Sequence, residues 1–400
     1  MDRLLAFIER LILMRPFRFL HTSDWQLGMK RWFLHGEAAS RYAQARLDVI
    51  DTLFNLAKTK NCEAIVVAGD VFDDNLIDAT TWQRSLEILR HTPLPLYLLP
   101  GNHDPFDAAS IYRHPVWQNL SPKVTVLIDS QPHCVPDNGA IVIGAPYLAK
   151  TLDYDPVAAA IHTIEHHKVR DTAQILVGHG ATLNWGNSQK SGWINLSAAA
   201  ESYQQGIIDF IALGDTHSTQ SLHENGRIWY SGSPEPTDFR TENGGGESDS
   251  GNALIIDIKN DGSVQVDRIP VGKWHFLHLQ AELNSQETVY DWIEHLSNLP
   301  HKTTTAVRCT LQGTLDLASD ALLHQQMAVL QNLFAALYRH ERTSTLRIIP
   351  SKAELQGNHF PGVVGIAALE LIEQANKGEE IAQEALRLLY RLSHAIEVST

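Results

Sequence analysis

Only three of the 400 residues are cysteine (Cys62, Cys134 and Cys309), and they stand far apart with no Cys-x-x-Cys pair. That excludes a disulfide framework and a thiolate zinc site, and it is the pattern expected of reduced core thiols in a cytoplasmic protein. Positive charge is also scarce: 32 Lys and Arg face 46 Asp and Glu, for a formal net charge of −14. A protein that grips nucleic acid by its own electrostatics usually shows a basic surface, so any such contact here must be local or shared with another chain. Long apolar runs are missing as well. The first fourteen residues, MDRLLAFIERLILM, have their apolar stretch split by Glu9 and Arg10, which disfavours a signal peptide. Nothing in the chain approaches the roughly 18 uncharged apolar residues of a membrane span, so no membrane contact is expected. Residues 1–14 read as an N-terminal extension, either a short amphipathic helix or sequence ahead of a true start at Met14.

What the chain does have is a 44% hydrophobic content, enough for a large core, and a length that suits two or three domains. Its most informative stretch is Leu98-Leu99-Pro100-Gly101-Asn102-His103-Asp104, where an apolar run ends in a Pro-Gly turn. Asn102 and His103 thus fall just past a strand's carboxyl end, where open α/β sheets build their sites. The same arrangement recurs. Phe17–His21 leads to Asp24 and Gln26; Ala64–Ala68 leads to Gly69-Asp70; Gln174–Val177 leads to Gly178-His179; Phe210–Leu213 leads to Gly214-Asp215-Thr216-His217. Between the first two strands, residues 37–60 carry apolar positions at Ala45, Val49, Leu53 and Leu56, the spacing of one buried helix face. Such strand-helix-strand units cross over right-handed and bring successive strand ends to one edge. Any one of these residues alone is more often a helix cap or a satisfied core group. Five coincidences at the same end of successive strands are improbable without a shared site. Other histidines, such as His133, His162, His223, His275 and His278, follow no strand-end rule and read as surface or packing residues.

Asp24, Gln26, Asp70, Asn102, His179, Asp215 and His217 offer oxygen and imidazole without thiolate, a mixture suited to Mn²⁺, Fe²⁺ or Zn²⁺. Seven candidates are too many for one ion. Two ions about 3.5–4 Å apart, sharing a bridging Asp, would use them, activating water and screening charge on a phosphoryl oxygen. His103, beside Asn102 but free to face a substrate, would protonate the leaving oxygen. The implied reaction is phosphoester hydrolysis.

The order Asp24, Gly69-Asp70-x-x-Asp73, Gly101-Asn102-His103-Asp104, Gly178-His179 and Gly214-x-x-His217 resembles the calcineurin-like metallophosphoesterase superfamily. His21-Thr22-Ser23-Asp24-Trp25 with Leu27-Gly28, and Tyr230-Ser231-Gly232-Ser233-Pro234, more narrowly resemble SbcD-type DNA exonucleases. The resemblance implies a two-sheet α/β sandwich flanked by helices, followed by a small α/β capping domain and a helical tail. It also implies two divalent ions, most often Mn²⁺, one held by Asp24, Gln26, Asp70 and His217 and the other by Asp70, Asn102, His179 and Asp215, with His103 as the catalytic histidine. Such proteins usually carry histidine where this chain has Gln26 and Asp215, so the site is either attenuated or marks a subfamily such as the YhaO-type exonucleases. Two other readings stay open: a small-molecule phosphodiesterase or nucleotidase, and a non-catalytic DNA-end-binding protein.

The expected domain limits are 15–271 for the phosphoesterase, 272–350 for the capping module and 351–400 for the tail. Within the capping module, strands over 274–282, 304–311 and 346–349 alternate with helices over 286–298 and 317–339, and Gly244–Gly251 is expected to be a long hairpin tip. In the tail, Ala382, Ala385, Leu388, Leu389 and Leu392 form an apolar helical line. By resemblance this segment would dock on an SbcC-like, SMC-type ATPase that supplies much of the DNA surface; homodimerisation is left open. Local phosphate contacts are expected from Lys30, Arg31 and His35, with Arg41 and Arg46 as either further contacts or solvated helix residues.

Overall fold

Short strands buried along their whole length alternate with helices that are apolar on one side, a pattern that forces sheets covered on both faces. The computed structural model describes residues 15–164, 172–182, 193–241, 246–349 and 363–397. The N-terminal extension and the histidines at 166 and 167 lie outside the described residues. The chain divides into two units, residues 1–32, 39–238 and 245–274 forming one and residues 33–38, 239–244 and 275–400 the other.

The first unit holds two six-stranded sheets. One comprises β1 (Phe17–Thr22), β2 (Ala64–Val67), β3 (Leu96–Leu98) and β4 (Val124–Val126), together with β12 (Asn252–Ile258) and β13 (Val264–Pro270), in the order β13-β12-β1-β2-β3-β4. The other comprises β5 (His133–Cys134), β6 (Ile141–Ala145), β7 (Gln174–His179), β8 (Phe210–Gly214), β9 (Gln220–Ser221) and β10 (Ile228–Tyr230), in the order β5-β6-β7-β8-β10-β9. β1, β2 and β3 run parallel, as do β6, β7 and β8. Phe17, Phe19, Val66 and Leu254 from the first sheet pack on Ile175, Val177, Phe210 and Ala212 from the second, and these inward residues alternate as a sandwich requires. The outer face of the first sheet is covered by α1 (Gly36–Thr59) and α2 (Ala79–Arg90), which bury Val49, Leu53, Leu86 and Leu89. α3 (Pro156–Ile164) and α4 (Leu196–Gln204) cover the second.

The second unit is a parallel sheet of β14 (His275–Leu283), β15 (Thr305–Leu315) and β16 (Ala336–Arg339), with β11 (Arg240–Thr241) beside β14 and β17 (Arg347–Ile348) on β15. α5 (Gln286–Asn298) and α6 (Leu317–Gln331) bury Val289, Trp292, Leu323 and Leu330 on it. Ile372 of α7 (Val363–Asn376) and Leu386 of α8 (Glu380–Glu397) join the same core.

Three expectations need correction. The helix expected over 317–339 stops at Gln331, and Ala336–Arg339 forms β16, because pairing along the edge of β15 outweighs local helical preference. Gly244 and Gly245 of the expected hairpin tip lie outside the described residues; the strand before them, β11, pairs with β14 rather than with β12, and Glu247 is 7% exposed. Cys134 is exposed rather than a core thiol, whereas Cys62 and Cys309 are buried.

Glu235, 1% exposed, fastens the segment after β10 to the end of the first unit, accepting hydrogen bonds from the Lys273 and Trp274 amides at 2.9–3.1 Å. Burial outweighs these donors and pushes its carboxyl up from 4.5 to about 7. A folded-state pKa above the unfolded value means the folded chain holds the extra proton. The stabilisation is therefore complete below about pH 4.5 and is lost as pH rises through 7. Thermal melts from pH 4.5 to 7.5 should show wild type losing up to about 3 kcal/mol relative to Glu235→Gln. Parallel curves for the two proteins would overturn this.

Candidate metal centre

Parallel strands deliver their carboxyl ends to one edge, so the loops after β1, β2 and β3 meet the ends of β7 and β8. Backbone bonds weld these loops together: Asp24 N donates to Gly69 O at 3.0 Å, Gln26 N to Asp70 O at 2.9 Å, and Gly180 N to Gly214 O at 3.1 Å. Four of the expected ligands have left-handed backbones, Asp24 (φ 53°), Gln26 (φ 42°), Asp70 (φ 52°) and Asp215 (φ 100°). This conformation costs an L-residue about 1–2 kcal/mol, and it clusters where a structure over-determines a site. Gly101 is required by close approach: a Cβ there would lie 2.1 Å from Asp70 Oδ1.

His179, the last residue of β7, is fully buried, and its Nδ1–H donates to Ala68 O at 2.8 Å. That fixes the tautomer and leaves the Nε2 lone pair facing Asn102 Oδ1 at 2.8 Å, Asp70 Oδ1 at 3.4 Å and Asp215 Oδ1 at 3.7 Å. Nε2 and three acceptor oxygens can converge only with a cation between them, a proton on the ring or a metal ion. Asp24, Asp70 and His179 alone bring ligand atoms within 4.8 Å of one another, all buried. The electrostatics agree. Burial opposes charge on His179, but Asp70, Asp24 and Asp215 overcome it and hold the imidazole well above its usual range. Burial raises Asp24, while for Asp70 the opposing effect of burial is outweighed by His179 and His103. A hard divalent ion fits these donors.

His217 lies on the other side of Asp24, its Nε2 3.8 Å from Asp24 Oδ1 and 3.3 Å from Gln26 Nε2. Its Nδ1 meets the Thr237 hydroxyl, and Glu247 Oε2 lies 3.4 Å away. His103 stands at the rim, its side chain 41% exposed, with Nδ1–H donating to Asp73 O at 2.9 Å and Nε2 4.0 Å from Asp70 Oδ2.

Thus the structure brings Asp24, Gln26, Asp70, Asn102, His103, His179, Asp215 and His217 to one place. Of the expected phosphate contacts, Lys30 and His35 are exposed and Arg31 is half-buried. Arg46 is corrected: it is 2% exposed and bonds the carbonyls of Asp24, Trp25 and Glu235 and the Tyr42 hydroxyl, so it neither touches solvent nor faces a ligand. Sequence reasoning missed Glu247, hidden in a glycine-rich run, whose carboxylate also takes the Thr237 and Asp238 amides at 2.8 Å. It also left Asp104 without a role. Asp104 accepts from Gly101 N at 2.8 Å, Phe72 N at 2.9 Å and Tyr112 Oη at 2.6 Å, locking the loops after β2 and β3 together. Burial, then Asp70, push its carboxyl up to about 7.

A profile for calcineurin-like phosphoesterases matches residues 17–246. The chain belongs to that family. Its members use divalent metals, and the fold and the SbcD-type resemblance both agree with the match. The SbcD component of the nuclease SbcCD from Escherichia coli K12 is 28% identical over 253 residues, 56% of this chain. The match spans 61% of that relative's length. The Bacillus subtilis protein of the same name is 36% identical over 97 residues, 23% of each chain. Among solved structures, a 5'-nucleotidase precursor from Thermus thermophilus aligns over 64% of this chain and 54% of that one, at 13% identity and a TM-score of 0.33. Among the described residues, no helix is long and apolar enough to cross a membrane.

Because Asp104 accepts from three buried donors, Asp104→Ala should cost at least about 3 kcal/mol in thermal unfolding. It should also weaken divalent-metal binding about 10–100-fold in titration calorimetry, although Asp104 is not placed to be a ligand. Metal affinity equal to wild type would show that the two loops hold their geometry without it.

Proposed function

We propose that this chain is a metal-dependent DNA phosphodiesterase, an SbcD-like exonuclease or endonuclease acting in DNA repair with an SMC-type ATPase. The observation that carries the reading is His179 Nε2 facing Asn102, Asp70 and Asp215, with His103 beside them on the open side. Similarity to the SbcD proteins of the two bacteria supports DNA as the substrate class.

Asp70, Asn102, His179 and Asp215 would hold one divalent ion, and Asp24 and Asp70, with the Gln26–His217 pair, a second; Mn²⁺ suits both donor sets. Bound there, such ions lower the pKa of water and polarise phosphoryl oxygens. The chain's own groups supply the rest. His103, held by Asp73 O, stands at the exposed rim with Nε2 4.0 Å from Asp70 Oδ2, and in its protonated form would deliver a proton to the leaving oxygen. The His103 amide donates to Asp70 Oδ1 at 3.0 Å, so the acid is indexed to the carboxylate that both ions would share. Lys30 and Arg31 are the proposed phosphate contacts on the loop after Asp24, with His35 a third candidate. In this reading residues 272–350 act as the capping module, α7 and α8 dock on the ATPase, and the protein works in the cytoplasm.

Mn²⁺-dependent degradation of an end-labelled linear duplex tests this, with and without the ATPase. His103→Ala should lower the rate about 10²–10⁴-fold while keeping bound metal, and Asp70→Ala should lose both. Turnover of bis(p-nitrophenyl) phosphate with every DNA substrate left intact would move the assignment to a small-molecule phosphodiesterase.

A further inference from the structure

Strands β4 and β5 are the edges of their two sheets, and a cavity of about 370 Å³ opens between them, reached also by the amino end of β3. None of its lining residues belongs to the metal centre. Four of them are prolines, Pro95, Pro122, Pro132 and Pro136, whose fixed φ makes the walls rigid and whose missing N–H leaves them poor in donors. Tyr97 supplies a donor. It is 3% exposed and its ring belongs to the core between the sheets; because it also lines the cavity, the hydroxyl at the ring's far end is the group it offers there. Burial, then the Cys134 thiol, push that hydroxyl up to about 12, so it keeps its proton at neutral pH. It makes no hydrogen bond with the described residues, yet its oxygen is not sealed away. A buried tyrosine usually finds a partner for its O–H, and here the partner must come from whatever fills the cavity. The ionisable lining residues are Tyr97, Lys123, His133 and Cys134. No carboxylate lines the cavity, in a chain where 46 acidic residues outnumber 32 basic ones. Lys123 Nζ donates to Pro93 O at 2.7 Å, which holds the ammonium in place.

We propose that this cavity binds a small organic anion built on a planar ring. The ring lies against the prolines, as proline and aromatic rings pack in proline-rich recognition. An acceptor on the ring takes the Tyr97 O–H, and the acid group meets Lys123. Largely apolar walls with a few placed polar groups are the usual make-up of small-molecule sites, whose volumes run from about 300 to 1,000 Å³. A nucleic-acid duplex or a folded segment is too large for the space. Rigid walls also lower the ordering cost of binding. Nucleoside monophosphates and aromatic carboxylates share the required chemistry, and the experiment separates them. The site stands apart from the phosphodiesterase reading, since it uses neither the strand-end ligands nor His103.

Cys134 provides the readout, because it is exposed in the cavity wall while Cys62 and Cys309 are buried. Alkylation of the full chain by iodoacetamide is followed by peptide mass spectrometry, with a chelator present to keep acid groups off the metal centre. The probes are deoxyadenosine 5'-monophosphate, nicotinate, deoxyadenosine and inorganic phosphate. The monophosphate or nicotinate should slow Cys134 alkylation saturably, whereas deoxyadenosine lacks the acid, phosphate lacks the ring, and each should protect far less. Protection by the monophosphate alone makes the site one for nucleotides, and protection by nicotinate makes it one for aromatic carboxylates. Tyr97→Phe deletes a hydroxyl that makes no bond within the chain, so it should melt as wild type does while weakening the protecting probe about 3–10-fold. Lys123→Met should weaken it about 10–100-fold. The proposal is overturned if neither planar acid protects Cys134, if phosphate or deoxyadenosine protects as well as the monophosphate, or if either variant leaves protection unweakened.

Discussion

The buried carboxylate of Asp70 is where the two sheets of the first unit are made to agree. An ionised carboxylate removed from water is expensive, and it persists only if nearby groups replace the lost solvation. Here the replacements come from different strands: the His103 amide from the loop after β3, and the His179 ring from the end of β7 in the opposite sheet. The Asp70 carbonyl is used as well, accepting the Gln26 amide from the loop after β1. Every element that reaches Asp70 must therefore end at the same depth. Gly101 can pass only because it has no Cβ, and Asp104 keeps it there by accepting its amide.

That convergence is maintained against local backbone preference. Asp24, Gln26, Asp70 and Asp215 all adopt left-handed φ, and each is a residue with a polar side chain aimed at the centre. Hydrogen bonds from the rest of the unit hold them in this conformation. Asp215 N points at the Asp24 carboxylate at 3.2 Å, and Ser233 Oγ donates to Asp24 O at 2.9 Å. Arg46 closes the arrangement from α1, with Nε on Trp25 O at 3.0 Å. A guanidinium satisfied by carbonyl oxygens serves as a rigid brace, because its fork of donors fixes several acceptors at once. The strain at the expected ligands and the brace behind them are two sides of one design: the loops are preorganised, so little reorganisation would remain on binding a cation.

Much of this is legible in the sequence for a simple reason. A fully apolar strand followed by a small residue and an acid or histidine is a local signal, and the parallel topology that gathers such ends follows from the intervening amphipathic helix. Residue pattern alone therefore places Asp24, Asp70, Asn102, His179 and Asp215 together. What escapes is whatever depends on long-range company. Arg46 occupies a helix position next to Ala45, and no periodicity distinguishes a solvated arginine from one that plugs into loop carbonyls. Glu247 sits among glycines that read as a turn, yet its carboxylate is pinned by Thr237, ten residues earlier in the chain. Residues 336–339 continue the apolar spacing of α6, and only the open edge of β15 turns them into a strand.

The distribution of cations bears on what the centre can attract. The chain carries −14 overall, and Arg46, which bonds the carbonyls of Asp24 and Trp25, is sealed beneath the loops. Arg18 is tied to Asp257 at 2.7 Å, and Arg227 donates to Asp209 O at 3.0 Å and stacks over Tyr203, so these charges also go into the fold. In the second unit Arg308 lies over the Phe239 ring, in an aromatic group with Phe33, Phe276 and Tyr338. Lys30, on the loop after Asp24, stays exposed. In the proposed reading, ions held at the centre would supply local electrostatic attraction as well as chemistry, so binding and turnover of a phosphodiester would depend together on occupancy of the same few oxygens. A phosphoesterase with this charge balance, if it acts on a polyanion as proposed, gains from an electropositive partner. The acidic balance of this chain and the proposed ATPase association are in that sense a single argument about where the positive charge must come from.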